Sequence, residues 1–209
     1  MPKNLVQEHA QALKIPFLIH FTRAENLPGI MRHGFYPRSR IDKIEVVPEI
    51  NDELRLDRHL DAVSLSIAFP NYRMFYACRI QNPDVEWVVL AVDPSVLWLK
   101  DCAFCRHNAA DTRISCQPLE QLKTPEAFIG MFDAIEGLPS REEQRLKSYD
   151  PTDEQAEVLA FDVIEPNHIG AAVFENTTTR DAYQALLGTR KICVHRARKG
   201  LFASRSYVR

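Results

Sequence analysis

Glycine is scarce in this chain, seven among 209 residues, and none falls in a Gly-x-Gly-x-x-Gly or Gly-Lys-Ser/Thr run. A glycine-rich turn gripping phosphate at a helix start is therefore excluded. No apolar run approaches the ~20 residues that a membrane-spanning helix needs, so no membrane association is expected. Met1 to Lys14 carries charges where a secretion signal has an apolar centre. Cysteine is present but unsystematic. Cys78, Cys102, Cys105, Cys116 and Cys193 make an odd, scattered set that forms no disulfide framework. The expected location is the reducing cytoplasm.

What is present is an ordinary folded composition, 45% hydrophobic and 26% charged, long enough for one domain over residues 1–209. The net charge of -2 hides an asymmetry. Acidic residues vanish after Gly188, where Arg190, Lys191, Arg196, Arg198, Lys199, Arg205 and Arg209 alternate with Phe202 and Tyr207. Cations with interleaved rings suit a polyanion with exposed bases, and residues 189–209 read as a basic strand and tail. A solvated tail is the competing reading, with any polyanion gripped elsewhere, for example by Arg73 and Arg79. By contrast, Asp133 to Glu154 is acid-rich and is expected as an exposed loop or helix.

Patterning predicts helices over Leu5–Leu13, Asn26–His33 and Thr178–Leu187, the second stopped by Gly34 and the third by Gly188. Strands are expected at Phe17–Thr22, Val63–Ile67, Glu86–Val92, Ile169–Phe174 and Ile192–His195. Strands and helices do not alternate regularly, so the fold class is α+β.

One more strand contains the most informative residue. In Gln155 to Phe161, alternation sets Glu157 beside Leu159 and Phe161, with Ala156, Val158 and Ala160 opposite. A carboxylate among apolar neighbours is paired or put to chemical use, unless it lies at the strand mouth and meets solvent. Two other strands carry polar pairs, His20/Thr22 and Ser64/Ser66, and the three pairs suggest a cleft for a hydroxyl-rich ligand. Cys102, Cys105, His107 and Cys116 can be drawn as a zinc set, but only the first pair has ligand spacing. Reduced thiols near a strand end are the expected reading, with no metal. Ser64 and Ser66 lack the strained turn of a hydrolase nucleophile.

The ordered motifs resemble a known family. His20-Phe21-Thr22-x-x-x-Asn26-Leu27-x-x-Ile30-x-x-x-Gly34, Asn51-Asp52-x-x-Arg55-Leu56-Asp57, Val63-Ser64-x-Ser66 with Asn71-x-x-Met74-Phe75, and Asp153-x-Gln155-Ala156-Glu157-Val158-Leu159 are similar to the DarT-type DNA ADP-ribosyltransferase toxins. Asn108-Ala109-Ala110 is similar to a further part of the pattern. The resemblance implies an ADP-ribosyltransferase-like fold, two small facing β-sheets with flanking short helices and NAD+ bent in the cleft. It implies transfer of ADP-ribose to a base in single-stranded DNA, thymine first and guanine second, and a macrodomain antitoxin as partner. Carried over by position, Glu157 and Arg55 are catalytic, and His20, Thr22, Asn26, Arg55, Ser64, Met74 and Phe75 bind NAD+. Arg58 is the neighbouring alternative to Arg55. Arg196, Arg198 and Arg205 are the expected DNA contacts.

These residue types fit the chemistry. Breaking the nicotinamide–ribose bond builds an oxocarbenium-like cation, which a carboxylate stabilises. An arginine offers a planar donor fork to a pyrophosphate. A non-catalytic nucleic-acid-binding module of the same fold, or an ADP-ribosyltransferase acting on RNA or protein, are the alternatives.

Overall fold

A computed structural model describes residues 2–43 and 59–209. Among these residues, seven strands form one mixed sheet in the order β4-β5-β2-β1-β3-β6-β7. They are β1 (Leu18–Arg23), β2 (Val63–Ile67), β3 (Trp87–Val92), β4 (Cys102–Cys105), β5 (Glu157–Ala160), β6 (Ile169–Phe174) and β7 (Lys191–Val194). All pairings are antiparallel except β6 with β7. The α+β expectation and all six expected strands agree with this ladder to within a few residues at their ends.

The two small sheets expected from the motifs are the two halves of this ladder. β1 runs its full length along β3, from Leu18↔Val92 to Arg23↔Trp87. Against β2 it registers only at Leu18↔Ile67 and Ile19↔Ser66. β2 then turns its remaining residues to β5, pairing Val63 to Leu65 with Ala160 to Val158. The sheet is joined at one end of β1 and β2 and splits along the rest.

Burial follows the split. One face carries a continuous core from Phe104 and Val158 through Leu65 and Leu18 to Leu90 and Phe174. Helix α1 (Pro2–Leu13) and helix α7 (Pro125–Gly130) cover it with Val6, Ala10 and Phe128. The opposite face is divided. Over β1, β3 and β6 lie Ile19, Val89, Val173 and the helix α3 (Tyr72–Gln81) residues Phe75 and Cys78. Over β4 and β5 a separate cluster gathers Ala103, Cys105, Ala109 and Leu159. Strand alternation sets the two faces apart, because neighbouring residues of β4 and β5 point to opposite sides, and the opposite face divides where β2 leaves β1 for β5.

Helix α2 (Leu27–His33) ends at Gly34, whose φ of +88° is a conformation that side-chain-bearing residues rarely adopt. A Cβ there would also collide with the Ile164 carbonyl. That carbonyl accepts from Phe35 N–H at 2.9 Å, so the chain leaves the helix by clipping onto residue 164. The expected helix over Thr178–Leu187 is α8 (Thr177–Tyr183) with a 3-10 turn after it. Its cap is Asn176, accepting from Thr179 N–H at 2.8 Å.

The acid-rich stretch differs from expectation. It is irregular, yet Asp150, Thr152 and Asp153 are buried. Arginine explains the burial of two of them, because Arg209 makes a two-pronged contact with Asp150 at 2.6 and 2.9 Å and Arg141 donates to Thr152 Oγ1 at 3.0 Å, while Asp153 is bonded to His107.

Candidate active site

Glu157 opens β5 on the divided face, between the two smaller clusters, with only 6% of its surface exposed. It is not at a solvated mouth. Its Oε1 accepts from the Ser64 hydroxyl at 3.3 Å and its Oε2 from the Ala109 backbone N–H at 2.8 Å. Both bonds hold the carboxylate in one orientation, as charge-assisted acceptors do.

Ser64 also reaches the other half. Its carbonyl lies 3.0 Å from His20 Nδ1, and the His20 ring packs against Phe35 with centroids 4.6 Å apart. His20 shares its strand parity with Leu18, on the continuous face, so the three polar pairs do not share one face. They meet because β1 and β2 separate, leaving Ser64 in the gap with the imidazole on one side and the carboxylate on the other. One turn on, Asn26 Nδ2 donates to Thr22 Oγ1 at 2.9 Å, and both residues are buried. Ser66 accepts from Asn71 N–H at 3.2 Å, and Asn71 caps α3 through Met74 N–H at 3.3 Å. The Ser66 hydroxyl therefore fixes the start of α3, and Met74, on its first turn, stays half-buried.

Sequence reasoning misses the role of the loop after β4. Asn108-Ala109-Ala110 stands out only as a motif, and the contact that matters is a backbone N–H, which residue type does not reveal. The carboxylate's two donors among the described residues and its seat between two sheet halves can stabilise and localise charge beside a polar gap.

A sequence profile described as "ssDNA thymidine ADP-ribosyltransferase, DarT" matches residues 19–201. The chain belongs to the DarT family. Among solved structures, Thermus sp. 2.9 DarT in complex with ADP-ribosylated ssDNA has a similar fold, with a TM-score of 0.57 at 15% identity, over 87% of this chain and 95% of that one. The same Thermus DarT in complex with NAD+ gives 0.54 at 15% identity, over 87% and 96%. Thermosipho africanus DarTG in complex with ADP-ribose gives 0.58 at 16% identity, over 87% of this chain but 50% of that one. This chain thus spans half the length of the DarTG protein. No curated protein matches its sequence.

The packing revises the expectations for Phe75 and for part of the basic tail. Phe75 is fully buried and stacked on Phe21 at 4.6 Å, so it builds the core behind the gap instead of walling a ligand. Arg55 and its alternative Arg58 lie outside the described residues. Arg205 is 4% exposed and donates to the Pro151 and Thr152 carbonyls at 2.7 and 3.2 Å. A guanidinium so committed cannot meet phosphate, and Arg205 is a structural clamp. Arg190 is likewise spent on the carbonyls of Ile169 and Pro166, at 2.9 and 2.8 Å. Phe202 is buried core, whereas Tyr207 is 86% exposed.

Arg196 and Arg198, after β7, are exposed. So is Arg73, paired with Glu154 at 3.1 Å, while Arg79 is held by Glu175 and lies over the rings of Phe75 and Phe202.

Cys102 and Cys105 stand on opposite faces of β4, one in the continuous core and the other in the β4–β5 cluster. Three residues apart on a strand, they cannot chelate one ion together. Burial pushes the Cys102 thiol up to about 12. His107 is bonded to Asp153 instead. Among the described residues no group of three or more His, Cys, Asp or Glu could hold a metal ion, and none of the helices is long and apolar enough to cross a membrane.

Proposed function

We propose that the chain performs its family's reaction, ADP-ribose transfer from NAD+ to thymine in single-stranded DNA, in the gap between β1 and β2 with Glu157 as the catalytic carboxylate. The observation that carries this reading is the buried Glu157 side chain, held by Ser64 and Ala109 at the split of the sheet. A module that only bound nucleic acid would have no use for a carboxylate there, since burying it costs free energy.

In this reading the nicotinamide–ribose bond breaks and nicotinamide leaves with the electron pair. Glu157 stabilises the ribosyl cation through charge and through the ribose 2′-hydroxyl. Thymine has one ring nitrogen besides the glycosidic one, N3, and it carries a proton. That proton passes to a base as the N3–ribose bond forms, and Glu157 is the candidate base. His20 and Ser64 face the cofactor, Met74 borders it, and Thr22 with Asn26 forms the floor beside His20. The pyrophosphate or nicotinamide ribose falls to Arg55, with Arg58 as the alternative. The acceptor strand runs along the exposed cations Arg196 and Arg198.

N3 lies on the Watson–Crick edge, which pairing hides. Flipping a paired base out costs a few kcal/mol, so duplex DNA is a poor substrate. We read residues 1–209 as one catalytic domain acting on DNA in the cytoplasm, in keeping with five cysteines that form no disulfide. The DarTG protein of similar fold supports a toxin role opposed by a macrodomain antitoxin. The test is incubation of the purified chain with NAD+ and oligonucleotides of varied sequence, with mass analysis of the product. The reading predicts one ADP-ribose on thymine of single strands and none with Glu157→Ala. Equal labelling of duplex, transfer to RNA or protein alone, or full activity of Glu157→Ala overturns it.

A further inference from the structure

A second pair of ionisable side chains lies two residues from the Glu157 contacts and has no part in the chemistry above. His107 Nδ1 meets Asp153 Oδ2 at 2.6 Å, with His107 7% and Asp153 9% exposed. The other oxygen of Asp153 accepts from Gln155 N–H at 2.8 Å, and its carbonyl accepts from Ala156 N–H at 3.2 Å. Asp153 thus shapes the approach to Glu157 and at the same time grips the loop after β4.

The placement follows from the sheet. The β4–β5 ladder ends with Cys105 opposite Glu157. Beyond that pair, backbone bonding gives way to two ties between the same two segments: His107 to Asp153, then Ala109 N–H to Glu157 Oε2. The loop turns tightly between them, with Ala110 N–H bonded to the Asn108 side chain at 3.0 Å and Asp111 N–H to the Asn108 carbonyl at 3.0 Å. A short loop pinned at residue 107 leaves Ala109 N–H little freedom. Without the pin, the N–H that orients the carboxylate keeps its own bond, the Asn108 turn and the packing of Ala109 in the β4–β5 cluster, but loses the side-chain tie to the segment that leads into β5.

We propose that His107 and Asp153 are positioning residues for the transfer reaction, acting through Ala109 on the orientation of Glu157. The inference rests on Glu157 being the catalytic carboxylate. Small misplacement of a reacting group lowers rate steeply, about 10²-fold for roughly 1 Å, while cofactor affinity depends on contacts elsewhere. The signature is therefore a fall in kcat at constant KM for NAD+.

The experiment compares His107→Leu, which fills the volume without a donor, with His107→Asn, whose amide N–H can stand where Nδ1–H stood. Transfer kinetics to a thymine-containing single strand and melting temperatures are measured on both, with Glu157→Ala alongside. His107→Leu is expected to lower kcat about 10- to 100-fold with the NAD+ KM within about twofold of the parent. His107→Asn is expected to recover most of the loss. If His107→Leu does not fold, Asp153→Ala, which removes the acceptor for His107, takes its place with the same expectation. An unchanged kcat, a loss confined to KM, or a His107→Asn variant that melts like the parent yet is no faster than His107→Leu overturns the proposal. An active Glu157→Ala would instead defeat the reading of the site itself, so the two failures are distinguishable.

Discussion

The two faces of the sheet are built from the same strands and do different work. One face is a single apolar layer running from β4 to β6 under α1 and α7. The other breaks into two clusters at the split between β1 and β2, and the hydroxyl of Ser64 and the carboxylate of Glu157 occupy the break. Continuity maximises apolar burial and hence stability. A break forgoes part of that burial and leaves room for a charged group, and the Glu157 carboxylate is tolerated there because Ser64 and Ala109 donate to it. Most of the folding energy thus lies on one side of the backbone layer and the carboxylate on the other, with His20 reaching Ser64 from the continuous side where β1 parts from β2.

That separation can be broken deliberately. Glu157→Ala sits in the break and should remove about 10²–10³ of the transfer rate while the melting temperature changes little; rate and thermal denaturation on one preparation test both halves. Phe128→Ala lies under the continuous face and should do the reverse, costing about 3–5 kcal/mol by urea denaturation with the kcat of the folded fraction retained. A Phe128→Ala protein of normal stability would show that the layer is less continuous than its packing indicates.

Smaller effects sharpen the boundary. Gly34→Ala forces a side chain into a positive-φ position against the Ile164 carbonyl, and about 1–3 kcal/mol of stability should disappear, measurable by the same denaturation. In the tail, Arg205→Ala should cost about 1–3 kcal/mol by orphaning buried carbonyls, with the salt dependence of DNA binding unchanged. Reversing Arg196 and Arg198 to Glu should leave stability alone and flatten the salt slope by about 0.7 for each phosphate no longer neutralised. If the slope is unchanged, the strand is gripped elsewhere, and Arg73 is the next exposed cation to test.

The smallest change is chemical. Cys102, pushed up to about 12 by burial, should resist alkylation at pH 8 in the native state, since the thiolate is the nucleophile. Exposed Cys116 should label first, as peptide mapping would show.

The strands are legible because alternation and apolar runs are local signals, and Val63–Ile67 and Ile169–Phe174 fall where patterning puts them. Glu157 is legible as a charge among Val158, Leu159 and Ala160, a local conflict that packing has to resolve. Its partners are less so. Ser64 stands out by type, but Ala109 contributes through its backbone, and any residue but proline carries that N–H. The tail misleads for a related reason. Seven cations in sequence look alike, whereas Arg205 and Arg209 are drawn onto Pro151 and Asp150 and Arg198 is left exposed on a turn.

The sequence by itself determined six of the seven strands, all but β4, together with the helix stop at Gly34, the family motifs and the odd carboxylate, because each is written in neighbouring residues. The tertiary structure alone decided that β1 and β2 part after two registered pairs, that His20 and Glu157 meet across Ser64 from opposite strand parities, and that three of the tail's arginines serve the fold. Those outcomes depend on which distant segments pack together, and packing partners are chosen by the whole chain.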